Sequence, residues 1–143
     1  MIEPIIADTG VLVALVYEKD QWHGWAKTQA AKLSPPFLTC EAALTEACYL
    51  VQSAPDGPQK VLAFVASGLV RVDFSLSGEV VAVAALMKKY ADVPMDFADA
   101  CLVRMSELHN TAVVFTLDSD FWIYRKNGHE PIPLIIPAPH PFQ

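Results

Sequence analysis

Basic residues are scarce in this sequence: ten Lys and Arg stand against sixteen Asp and Glu, for a formal charge of −6. A chain that grips nucleic acid through a broad cationic surface would show the reverse balance, although two divalent ions held by converging acids would offset most of the excess. Cysteine is nearly absent. Cys40, Cys48 and Cys101 are odd in number and form no C-x-x-C pair. That argues against a disulfide framework and a thiolate zinc site, and leaves them as small buried hydrophobes. No uninterrupted apolar run approaches the roughly 18 residues of a membrane helix. The first residues carry Glu3 and Asp8 and no basic stretch, so no signal peptide is expected and the cytoplasm is the expected location. P-loop and G-x-G-x-x-G fingerprints are missing, which leaves nucleotide-binding folds without support. Internal repeats and linkers are missing as well.

Apolar mass is what the chain does have: 53% of its 143 residues, with a mean hydropathy of +0.31. That predicts one compact domain over residues 1–143, ending in a Pro-rich tail at 137–143. Part of the apolar excess is expected to line a subunit or partner interface.

Short β-branched runs alternate with helical ones. "IIA" at 5–7 reads as a strand, Asp8-Thr9-Gly10 as a tight turn, and "VLVALVYEKD" as a helix. Further helices are predicted over 21–33, 41–53, 59–67, 77–91 and 95–110, with strands at "FLTC", at 69–74, at "TAVVFTLD" and, as a proline-tolerant edge, at "PIPLII". "DFWIYRKNG" reads as the passage into that last strand. The alternation predicts an α/β sandwich around a mainly parallel sheet. Ligands of such folds bind beyond the carboxyl ends of the strands. Asp8 and Asp118 each follow a strand and fall on that rim.

Two more acids interrupt apolar stretches. Glu46 has Ala42, Ala43, Tyr49 and Leu50 at helical spacing, and Asp99 lies among Phe97, Ala98, Ala100, Cys101 and Leu102. Asp96 stands one turn before Asp99, and Asp120 two residues after Asp118. Each has an ordinary explanation. Asp8, Thr9, Asp96 or Asp118 could cap a helix, and Glu46 could sit at a solvated edge. Taken together, two strand-end acids and two acids on apolar helices supply what a pocket for a hard divalent cation requires. Without a cation such a cluster repels itself, and its pKa values should rise.

At this point the sequence resembles the PIN-domain family, in particular the VapC-type toxin ribonucleases of toxin–antitoxin pairs. The residues that carry the resemblance are "ADTGVLVALV", Glu46 in "TEACYL", Asp99 in "MDFADACL" and "TLDSDF". Their order and spacing match the family along nearly the whole chain. The resemblance implies a Rossmann-like three-layer α/β/α sandwich. It implies that Asp8, Glu46, Asp99 and Asp118 form an acidic quartet for one or two Mg²⁺ or Mn²⁺ ions, with Thr9 and Thr116 supporting the pocket and Asp96 and Asp120 at positions of variable role. It further implies cleavage of RNA to 5′-phosphate and 3′-hydroxyl ends, a small protein antitoxin and a homodimer. The sequence departs from expectation in having no long basic patch, so RNA contacts must be local. Arg125 and Lys126 are candidates for holding flanking phosphates. Phe121, Trp122 and Tyr124 could stack a base, with core packing the stronger reading. His23, His109, His129 and His140 form no metal or triad pattern and are expected on the surface or in loops.

Two other readings compete. Asp8 as a phosphate-accepting nucleophile would make a phosphate-monoester hydrolase, but the haloacid-dehalogenase-like signature needs a second acid two residues on, where Gly10 stands. The alternative without catalysis is a PIN-like interaction module.

Overall fold

The structure is a computed structural model, and it describes residues 3–138. Most of the expected Pro-rich tail, with His140, lies outside the described residues. The chain opens with β1 (Ile5–Ala7), α1 (Thr9–Val16), α2 (His23–Ala31) and β2 (Phe37–Thr39). α3 (Glu41–Leu50), α4 (Gly57–Ala66) and β3 (Val70–Val72) follow, and a 3₁₀ turn at Leu76–Gly78 leads into α5 (Val80–Lys89). The last third holds α6 (Phe97–Leu108), β4 (Val113–Phe115), a 3₁₀ turn at Ser119–Trp122, β5 (Arg125–Lys126), β6 (Glu130–Pro131) and β7 (Leu134–Ile135).

Five strands form one parallel sheet in the order β3-β2-β1-β4-β7. Alternation along β1 divides the core. Ile5 and Ala7 face the side covered by α1, α3 and α4, together with Phe37, Val70 and Phe115. Ile6 faces the other side, with Leu38, Val114 and the apolar faces of α5 and α6. The product is a three-layer α/β/α sandwich: the alternation implied the α/β sandwich and its parallel sheet, and the family resemblance implied the three layers. Trp25 of α2 packs its ring 5.7 Å from that of Phe115 and closes the first layer. Among the described residues, no helix is long and apolar enough to cross a membrane.

Boundaries moved where local chemistry overrides periodicity. α1 starts at Thr9, two residues early, because the Asp8 side chain accepts a hydrogen bond from the Thr9 N–H. α4 starts at Gly57, with Pro58 in its first turn, where the missing proline N–H costs no hydrogen bond. Gly57 is also pressed against the Val51 carbonyl, and a Cβ there would overlap it. α5 loses its expected first turn to the 3₁₀ turn at Leu76–Gly78. The passage over 120–128 holds more structure than its sequence suggested. β5 and β6 pair antiparallel across a turn whose Asn127 and Gly128 both have positive φ, the Asn-Gly signal of a tight hairpin.

Candidate functional site

β1 and β4 are adjacent and parallel, with Ala7 opposite Phe115. The residues that leave the sheet beside each other are therefore Asp8 and Thr116. The Thr116 hydroxyl donates to Asp8 Oδ2 at 2.6 Å, and its oxygen accepts the Asp118 N–H at 2.9 Å. One buried threonine thus ties both strand-end acids together. Asp8 Oδ1 accepts the Thr9 N–H at 2.7 Å. From α3, Glu46 reaches the same place and accepts the Thr9 hydroxyl at 3.3 Å. From α6, Asp96 caps the helix by accepting the Asp99 N–H at 2.8 Å, which puts Asp99 in the first turn facing the strands. Asp118 caps its 3₁₀ turn through the Asp120 N–H at 2.9 Å.

These side chains line one cleft of about 270 Å³, formed by Asp8, Glu46, Asp96, Asp99 and Asp118 with Thr9, Gly10 and Leu117. All four quartet positions and Asp96 are in it. Thr116 lies directly behind, and Asp120 is outside the lining. A larger cavity, about 430 Å³, opens elsewhere, between α1, α2 and α4. It is walled by Leu15, Ala30, Ala63 and Phe64, with Glu18 its one carboxylate, and so lacks this chemistry.

The electrostatics of the cleft are unfavourable to the chain alone. Burial lifts the Asp8 carboxyl to about 6, against the lowering effect of its bonds from Thr116 and Thr9. Asp99 is lifted to about 8, by burial first and then by the charges of Asp8 and Asp96. Glu46 and Asp118 also move up, again chiefly through burial, with Asp96 adding repulsion at both. Among the described residues, every ion pair lies elsewhere, so no Lys, Arg or His neutralises this set. Nor are three His, Cys, Asp or Glu side chains already drawn together as the ligands of one ion.

Other expected site residues are placed differently. Lys126 is buried and donates from Nζ to the Asn110 carbonyl at 2.7 Å, past the far end of α6 and about 16 Å along the helix axis from Asp99. In this structure its Nζ is thus committed to a backbone carbonyl and not to the cleft. Arg125 is occupied too, its Nη1 donating to the carbonyls of Trp122 at 2.8 Å and Tyr124 at 3.1 Å. Phe121 and Tyr124 are core residues, and Trp122 is exposed. His23 Nδ1 lies 2.7 Å from the Ala14 carbonyl and His109 pairs with Asp73 at 2.9 Å, both away from the cleft. Sequence reasoning missed one group in the site. The Tyr124 hydroxyl donates to Asp99 Oδ2 at 2.9 Å, a contact no spacing rule announces.

A sequence profile described as the PIN domain matches residues 5–127. Among solved structures, Mycobacterium tuberculosis VapC20, a sarcin–ricin-loop-cleaving toxin, aligns with a TM-score of 0.70 at 22% identity, over 81% of this chain and 91% of that one. VapBC2 from Rickettsia felis, solved bound to a DNA fragment from their promoter, aligns with a TM-score of 0.60 at 16% identity, over 96% of this chain and 100% of that one. Curated protein sequences gave no match.

Proposed function

The chain belongs to the PIN-domain family, and from that premise we propose that it is a divalent-metal-dependent endoribonuclease, the toxin of a VapC-type toxin–antitoxin pair. The observation that carries the proposal is the cleft of five carboxylates with no cation of its own. Its donors are all hard oxygens. That fits Mg²⁺ or Mn²⁺, which take one or two carboxylates and keep several waters, better than an ion needing a closed protein cage.

Asp8 and Asp118, on neighbouring strand ends, would hold the ion directly. Glu46 would do so directly or through water, and Asp99 would ligate or orient the attacking water. Thr116 and Thr9 keep Asp8, Asp118 and Glu46 in register. A bound ion supplies a water of lowered pKa and polarises the phosphodiester. The chain's own part is to fix that water in line with the scissile bond, so that attack leaves a 5′-phosphate and a 3′-hydroxyl. Trp122, exposed on the turn that follows Asp118, would be the aromatic that stacks a neighbouring base. The phosphate-monoester reading loses ground, because both Asp8 oxygens already accept hydrogen bonds, which blunts a nucleophile.

The resemblance carries two further parts of the proposal. A small antitoxin would place a basic side chain among the acids, and a homodimer would cover exposed apolar helix positions such as Tyr49, Leu50, Leu62 and Val81. The test is cleavage of total RNA with Mg²⁺ or Mn²⁺. Activity should vanish on chelation and in Asp8→Asn and Asp118→Asn. Cleavage that persists in all three would overturn the assignment, and no cleavage by the loaded protein would favour the non-catalytic module.

A further inference from the structure

The carboxylates of the cleft share a pattern: each has an oxygen already taken by a protein donor. Glu46 Oε2 accepts from Thr9, Asp96 Oδ1 from the Asp99 N–H, Asp118 Oδ1 from the Asp120 N–H, and Asp8 accepts at both oxygens. At Asp99 the donor is the Tyr124 hydroxyl, brought from beyond the 3₁₀ turn. Asp99 Oδ1 has no protein partner, and among the described residues no buried side-chain oxygen is left unpaired. Oδ1 therefore opens into the cleft.

The tyrosine cannot easily turn away. It is fully buried, and its ring meets those of Tyr90 and Phe121 edge-on, each at 5.1 Å between centroids. The Tyr90 hydroxyl accepts the Arg125 N–H at 2.8 Å, and the Arg125 guanidinium closes on the carbonyls of the turn. The hydroxyl is thus set by packing on two sides and by a backbone that is itself pinned.

A carboxylate oxygen that already accepts a hydrogen bond is a weaker metal ligand than its free neighbour, so Asp99 meets a cation more readily through Oδ1 than through both oxygens. Small octahedral ions accept single-oxygen ligation at short distance, whereas Ca²⁺ gains from carboxylates that bind through both oxygens and raise its coordination number. We propose that Tyr124 is a positioning residue that sets metal specificity: by holding Asp99 Oδ2, it restricts Asp99 to one-oxygen ligation and favours Mg²⁺ or Mn²⁺ over Ca²⁺. This rests on the metal-binding reading above and adds a residue to it.

The test is calorimetric titration of the protein with Mn²⁺ and with Ca²⁺, in the wild type, in Tyr124→Phe and in Tyr90→Phe as a control. Removing a hydrogen-bond partner of a ligand weakens a metal site roughly tenfold or more. Tyr124→Phe should therefore lose about tenfold in Mn²⁺ affinity while Ca²⁺ affinity holds or rises. Tyr90→Phe should leave the ratio unchanged. An unchanged Mn²⁺/Ca²⁺ ratio in Tyr124→Phe overturns the role of Tyr124 alone. A wild type that binds neither ion overturns the metal reading with it. Infrared difference spectra on Mg²⁺ binding, with ¹³C-carboxyl aspartate in both proteins, should gain a two-oxygen signature in Tyr124→Phe that the wild type lacks, and identical spectra would overturn the role of Tyr124.

Discussion

The two ends of α6 treat acidic residues in opposite ways. At its carboxyl end Glu107 and Glu79 meet Arg104 at 3.0 and 2.7 Å, Asp73 meets His109, and buried Lys126 saturates the Asn110 carbonyl. At its amino end Asp96 and Asp99 face Asp8, Glu46 and Asp118 with no cation among the described residues. Of ten Lys and Arg residues the chain spends two, Arg104 and Lys126, at the structural end and none at the cleft. The difference teaches that charge compensation was available to this fold and was not used at the cleft, as the proposed metal site requires.

The largest break in that contrast should come from neutralising the cleft. Asp99→Asn is expected to lower RNA cleavage by roughly 100-fold or more, while raising the stability of the metal-free protein at pH 8 by about 2 kcal/mol or more. The gain should disappear near pH 4, where the wild-type carboxyl already holds its proton. Denaturant titrations at the two pH values measure it.

The sign of the pH effect in the metal-free wild type follows from the same shifts. Asp99 and Asp8, lifted to about 8 and about 6 from an ordinary value of 3.8, bind protons in the folded state that the unfolded chain has released. Their contribution is therefore fully present below pH 4 and is lost as pH rises toward 8. Metal-free melting temperature should fall over that window, and saturating Mn²⁺ should remove most of the fall. A flat profile would mean the cleft is not as strained as its geometry implies.

The other end should respond in reverse. Lys126→Met is expected to cost about 1–2 kcal/mol, because the Asn110 carbonyl loses its donor, with RNA cleavage at wild-type rates. A selective loss of cleavage would support a phosphate-holding role for Lys126. Arg104→Met should have the smallest effect, about 1 kcal/mol and sensitive to salt, again with activity intact.

The contrast also shows what the sequence could and could not disclose. Asp8 and Asp118 were legible because each ends a β-branched run, and parallel strands send their ends to one rim. Glu46 and Asp99 were legible because an acid inside an apolar helical stripe needs a reason to be there. Capping and convergence, weighed as alternatives, turned out to be one arrangement: Asp8, Asp96 and Asp118 each give one oxygen to a backbone N–H and still line the cleft. Tyr124 stayed hidden because a core aromatic and an aromatic that also donates a hydrogen bond look alike in sequence. The hydrogen bond from Lys126 to the Asn110 carbonyl was not legible, because nearness to Asp118 in the chain says nothing of where a side chain ends. The β5–β6 hairpin escaped because two-residue strands show no period.

The caps carry a consequence for how this protein can vary. Wherever one carboxyl group both starts a helix and borders the hollow, only asparagine can remove the charge and keep the start. A saturation survey scored separately for cellular abundance and for RNA damage should therefore divide four of the five acids. At Asp8, Asp96 and Asp118 the two scores should fall together for every replacement but asparagine; at Asp99, which starts nothing, abundance should climb as damage disappears.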